Sequence, residues 1–125
     1  MKIIAIANQK GGVDKTPITR ELSACCALRG YQVLTTDCDS QGSLTKSWLD
    51  LEPDWLTLSN VLIEPESPGR KIKPRPLHEA ILQTPVDNLD FVASDIRLQR
   101  FELQQDYMTP RLRNQSKNKT WLMVS

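Results

Sequence analysis

From Lys10 to Pro17 the chain reads KGGVDKTP, a glycine pair separated by two residues from Lys15 and Thr16. Those residue types in that order suit the binding of a phosphorylated ligand. Gly11 and Gly12 let backbone amides curl around phosphate oxygens with no Cβ in the way. Lys15 supplies a point charge to the β- and γ-phosphates, and the Thr16 hydroxyl is a ligand for Mg²⁺. A second polar cluster follows further on, where "YQVLTTD" runs into "CDSQGSLT" and places Asp37 and Asp39 one residue apart. Taken alone, two such carboxylates also fit a solvated turn or a helix N-cap.

The flanking segments supply the frame that an anion site needs. "KIIAIA" is an uninterrupted apolar run, the pattern of a strand covered on both faces in a parallel sheet. From Lys15 onward Ile18, Leu22, Cys25 and Cys26 recur at helical spacing, and Arg29-Gly30 gives a stop. "YQVLTTD" reads as a second buried strand. Strand, loop, helix and strand in about 37 residues make a βαβ unit, and its first loop aims free N–H groups and the helix dipole at one point. The strict spelling G-x-x-x-x-G-K-[ST] fails at Gln9 and Asp14, whereas the deviant spelling K-G-G-x-x-K-[ST] fits Lys10 to Thr16.

Beyond residue 45 the segments are shorter. "TLSNVLIE" (57–64) and "LHEAILQ" (77–83) are expected to be short helices. Between them "PESPGRKIKPRP" is a loop by composition, with Arg70, Lys71, Lys73 and Arg75 as a basic group. "NLDFVAS" reads as a third strand, and "DIRLQRFELQQDY" as a helix capped by Ser94 or Asp95. The expected division is a nucleotide-binding half-domain over residues 1–116 and an atypical tail over 117–125. For that tail an edge strand and a truncated or frame-shifted end are both open readings.

The 125 residues, 39% hydrophobic and 25% charged, suit one globular domain. A formal net charge of +1 gives no electrostatic reason to expect nucleic acid or an anionic membrane as partner. Cys25, Cys26 and Cys38 have no metal-binding spacing and are expected to be buried free thiols in a reducing compartment. The opening apolar run is too short for a signal peptide or a membrane span, so a cytoplasmic protein without membrane association is expected.

"MKIIAIANQKGGV" with Lys15-Thr16, followed by "YQVLTTDCDSQGSLT", closely resembles the ParA/Soj family of partition ATPases, in the wider MinD-like class. "LHEAILQTPVDNLDFVASDIRLQRFEL" is similar to that family's stretch after the second strand, so the resemblance covers about residues 1 to 105. It implies an α/β fold, a P-loop NTPase-like parallel sheet flanked by helices, here truncated, with AAA-type ATPase chemistry in plasmid or chromosome segregation. ATP and Mg²⁺ are the implied ligands. By the same resemblance Gly11, Gly12, Val13, Asp14, Lys15, Thr16 and Pro17 line the nucleotide. Lys10 is the lysine that reaches a partner's phosphates across an ATP-sandwiched homodimer. Thr16 and Asp37 serve the metal, and Asp39 positions the attacking water, a division of labour that phosphoryl transfer tolerates because positioning and charge neutralisation dominate it. For full-length members the resemblance adds a ParB-like partner and non-specific DNA.

Three departures bear on that chemistry. Asp14 stands where the family has glycine before the lysine, and Pro17 where it has a second threonine. Where the family's aspartate-bearing strand belongs, this chain offers "NKTWLMVS". The expectation is a degenerate loop with impaired or absent activity. An ATPase that tolerates both substitutions, and a non-catalytic chain that pairs with a full-length homologue, are the alternatives.

Overall fold

Val33–Asp37 (β2) is buried along its whole length because it lies in the middle of a five-stranded sheet. The computed structural model describes residues 2–7, 15–48, 54–63, 66–67, 70–71, 73–102 and 120–124. Ile3–Ile6 (β1) leads to the helix Lys15–Leu28 (α1), which crosses to β2. The short helices Ser43–Trp48 (α2) and Leu58–Leu62 (α3) follow, then a two-stranded hairpin of Glu66–Ser67 (β3) and Arg70–Lys71 (β4). A 3₁₀ turn at Leu77–Ala80 precedes Leu82–Gln83 (β5) and Leu89–Val92 (β6). A second 3₁₀ turn at Ile96–Leu98 runs into Gln99–Glu102 (α4), and Thr120–Val124 (β7) completes the set.

The strand order is β1-β7-β2-β6-β5, with β1, β7, β2 and β6 parallel and β5 antiparallel to β6. The period-2 alternation of a strand sends neighbouring β2 side chains to opposite layers. Val33 packs with Ala27 and Leu89 in the α1 layer, and Leu34 packs with Leu58, Val61, Leu62 and Val92 in the α3 layer. Phe91, fully buried, meets Trp48 edge to face at 5.0 Å between ring centroids. No helix among the described residues is long and apolar enough to cross a membrane.

The sequence expectations hold for β1, β2, β6 and α1, whose end is set by Gly30 at φ +84 with its N–H donating to the Ala27 carbonyl. Asp95, one of the two expected caps, accepts the Arg97 N–H at the start of the second 3₁₀ turn. Five readings change. Residues 77–83 form one 3₁₀ turn and then a strand, because Ile81 is already extended and Leu82 and Gln83 pair with Phe91 and Asp90. Pairing with β6 outweighs a helical period only seven residues long. β1 is not covered on both faces, for it lies at the sheet edge with Ile3 44% and Ile4 38% exposed. The buried stripe of α1 is Thr19, Ser23 and Ala27 rather than Ile18 and Cys25. Cys25 is exposed and Cys26 half-buried, leaving only Cys38 as the buried thiol expected; all three are free. Thr120–Val124, read from the sequence as part of an atypical tail, forms a strand paired on both sides.

One polar clasp joins the α3 layer to the end of β6. The Asp95 carboxylate accepts hydrogen bonds from the Thr57 hydroxyl, the Ser59 hydroxyl (2.7 Å), the Arg97 N–H (2.8 Å) and the Arg97 guanidinium (2.6 Å). Thr57 also caps α3 in a reciprocal box with Asn60. Partial burial raises the Asp95 carboxyl, but the bonds from Arg97, Thr57 and Ser59 outweigh it and hold the group down at about 2. A carboxyl held below its ordinary value stabilises the fold above about pH 4, and that contribution disappears as pH falls through about 2. Asp95→Asn is therefore expected to lose up to about 2 kcal/mol at pH 6. Urea unfolding at pH 6 and pH 2 checks this, since the two proteins are expected to converge in acid.

Candidate functional site

The parallel strands bring the sequence-selected residues to one end of the sheet. Ile6, Val124 and Asp37 lie level across β1, β7 and β2. Ile6, near the end of β1, and Asp37 are thus about 10 Å apart, two strand spacings. In open α/β sheets ligands bind outside the carboxyl ends of the strands. Lys10, Gly11, Gly12, Val13 and Asp14 lie outside the described residues. Lys15 and Thr16 are half-buried in the first turn of α1 and Pro17 is exposed there.

A ladder of hydroxyls fixes that first turn against the sheet. Thr35 on β2 donates to the Ser23 hydroxyl at 2.7 Å, Ser23 donates to the Thr19 carbonyl at 2.7 Å, and Thr19 donates to the Lys15 carbonyl at 2.8 Å. Small residues at i, i+4 and i+8 let α1 sit close to β2 while satisfying buried polar atoms. Pro17 is compatible with a first helical turn but brings no N–H. Of the four amide positions that a helix N-terminus leaves free for a ligand, one is therefore missing.

Asp37 is fully buried. One carboxylate oxygen accepts the Asp39 N–H at 3.1 Å, and the other accepts the Thr45 N–H at 2.9 Å and the Thr45 hydroxyl at 2.8 Å. Burial raises the Asp37 carboxyl, the bonds from Thr45 and Asp39 oppose this, and the neighbouring Asp39 charge adds to the rise. Asp39 is half-buried and accepts the Gln41 N–H at 2.9 Å. Both carboxylates thus cap the turn that launches α2, the local reading left open by the sequence.

Two residues of this network are not among the site residues that the sequence points to. Thr45 and Ser94 are 49 positions apart, yet the Ser94 N–H donates to the Thr45 hydroxyl at 2.9 Å and the Ser94 hydroxyl donates to the Asp39 carbonyl. Ser94 was legible only as a possible helix cap, the role Asp95 takes. Among the described residues no group of three or more His, Cys, Asp and Glu is placed to hold a metal ion.

Comparison with known proteins gives consistent relatives. A family model described as an AAA domain matches residues 1–120. The sporulation initiation inhibitor protein Soj of Bacillus subtilis is 36% identical over 105 residues, 82% of this chain and 38% of Soj. The chromosome partitioning protein ParA of Caulobacter vibrioides is 32% identical over 105 residues, 83% of this chain and 36% of its own length. Among solved structures, cobyrinic acid a,c-diamide synthase of Mycobacterium smegmatis with bound ATP analog and magnesium superposes with a TM-score of 0.73 at 25% identity. That superposition covers 98% of this chain and 50% of the synthase. The chain spans about a third of the length of these curated relatives.

Proposed function

The chain belongs to the AAA domain family, among the ParA/Soj-type partition ATPases, and on that premise we propose that its nucleotide site has lost most of its affinity for Mg-ATP and no longer hydrolyses it. The reading is carried by the start of α1 at Lys15, which puts Asp14 immediately before the helix N-terminus and Pro17 in its first turn. The positive end of the helix dipole favours anionic groups, and the residue next to it in the sequence carries a negative charge of its own. Two further features support the reading. Asp37, the implied metal supporter, has both oxygens engaged in holding α2. β7, which separates β1 from β2 at the level of Asp37, has the sequence TWLMV and no carboxylate.

These residues fit Mg-ATP poorly, so no catalytic step is assigned to Lys10, Thr16 or Asp39. On this reading the chain does not dimerise around two ATP molecules, because that assembly needs bound nucleotide, and it acts in the cytoplasm. Phosphate release and light scattering in Mg-ATP test the proposal. No turnover above the protein-free blank and no change in mass are expected; turnover with ATP-dependent dimerisation would overturn it.

A further inference from the structure

A cavity of about 380 Å³ opens between α1, the end of α2 and the turn that joins β5 to β6. Trp48, Val86 and Leu89 line its apolar part, and all three belong to the core cluster that holds Ala27 and Val33. Ala24 lines it from α1, one helical turn from both Arg20 and Glu21, and its single methyl group leaves the space open. Arg20 and Glu21 are exposed and stand at the mouth. Among the described residues neither has a hydrogen-bond or ion-pair partner. The walls are braced. Trp48 is held edge to face against Phe91. The Thr84 hydroxyl donates to the Leu89 carbonyl at 2.7 Å and accepts the Val86 N–H at 3.1 Å, which ties the turn together.

Leu89 pairs with Val33, four residues before Asp37 on β2, so the cavity floor lies about 13 Å along the strands from the end of the sheet that carries Asp37. Charge decides what fits there. One cation and one anion at the mouth sum to zero. A lone carboxylate meets the like charge of Glu21, a lone ammonium meets that of Arg20, and a triphosphate finds a single cation. A zwitterion matches both groups: its carboxylate takes the paired donors of the guanidinium, and its ammonium takes the Glu21 carboxylate. The volume is at the lower end of the range of about 300–1,000 Å³ that small-ligand pockets occupy. An apolar side chain on the same molecule then reaches the floor, where Trp48 offers a large aromatic surface.

We propose that this cavity binds a free α-amino acid with a large apolar side chain. Its carboxylate pairs with Arg20, its ammonium with Glu21, and its side chain packs against Trp48, Val86 and Leu89. Such a site goes beyond the nucleotide reading and does not depend on it, so the test omits nucleotide. L-Phenylalanine and L-leucine are titrated into the isotope-labelled chain, followed by the amide N–H resonances. Two analogues accompany them, 3-phenylpropionate without the ammonium and phenethylamine without the carboxylate. Saturable shifts at Ala24, Trp48 and Val86 are expected, with a Kd of about 1 mM or tighter and each analogue about tenfold weaker or more. Ala24→Leu fills the cavity and is expected to abolish binding. Arg20→Gln changes an exposed position and is expected to weaken it about tenfold or more. Circular dichroism verifies that both variants fold. No saturable shift at those three residues with either amino acid, an analogue that binds as tightly as L-phenylalanine, or binding unchanged in Arg20→Gln would each overturn the proposal.

Discussion

Replacing Asp14 with glycine and Pro17 with threonine together is expected to raise affinity for Mg-ATP by about two to three orders of magnitude. The larger share belongs to Asp14. A like charge held about 4 Å from a phosphate oxygen repels it by roughly 4 kcal/mol at an effective dielectric near 20. Counter-charge from Lys15 and Mg²⁺ screens part of this. A side chain where the loop favours glycine adds strain of about 1–3 kcal/mol. At 1.4 kcal/mol per decade, half of the summed penalty already gives about a hundredfold. Pro17→Thr restores one N–H and one hydroxyl at the helix N-terminus and is expected to contribute about tenfold or less. Titration with a fluorescent ATP analogue on both single variants and the pair separates the two shares. Unchanged affinity in the pair would mean that neither residue obstructs the site.

The second large effect concerns the support beneath the site. Thr45→Val keeps the shape of a buried side chain but removes a hydroxyl that donates to Asp37 and accepts from the Ser94 N–H. One buried carboxylate loses a donor and one buried N–H loses its acceptor, a combined loss of about 3 kcal/mol. The pH dependence has a definite sign. Asp37 is already raised, so its ionisation is disfavoured in the fold, and wild-type stability declines as pH rises from about 4 through the folded value. With one hydrogen bond fewer the carboxyl rises further, so the deficit of Thr45→Val is expected to be larger at pH 7 than at pH 4. Urea unfolding of both proteins at the two pH values measures it. A deficit below about 0.5 kcal/mol at both would show that the network carries little stability.

What could be read from the sequence was what depends on local pattern. The apolar runs of β1, β2 and β6, the Gly30 stop and the order strand-loop-helix-strand all follow from side-chain period and backbone freedom. Misreadings arose where distant segments decide. The sheet face of α1 is Thr19, Ser23 and Ala27 because Thr35 offers a hydroxyl to Ser23; a hydrophobic period does not register a polar ladder. Leu82 and Gln83 are a strand because Phe91 and Asp90 are available to pair. Asp37 and Asp39 were legible as an acidic pair, but their roles as caps depend on Thr45 and Gln41.

Calorimetric titration of the unaltered chain with Mg-ATP decides whether the nucleotide site still works. No saturable heat is expected up to millimolar nucleotide, from a chain whose circular dichroism is that of a folded α/β protein. Saturable one-to-one binding in the micromolar range would contradict it.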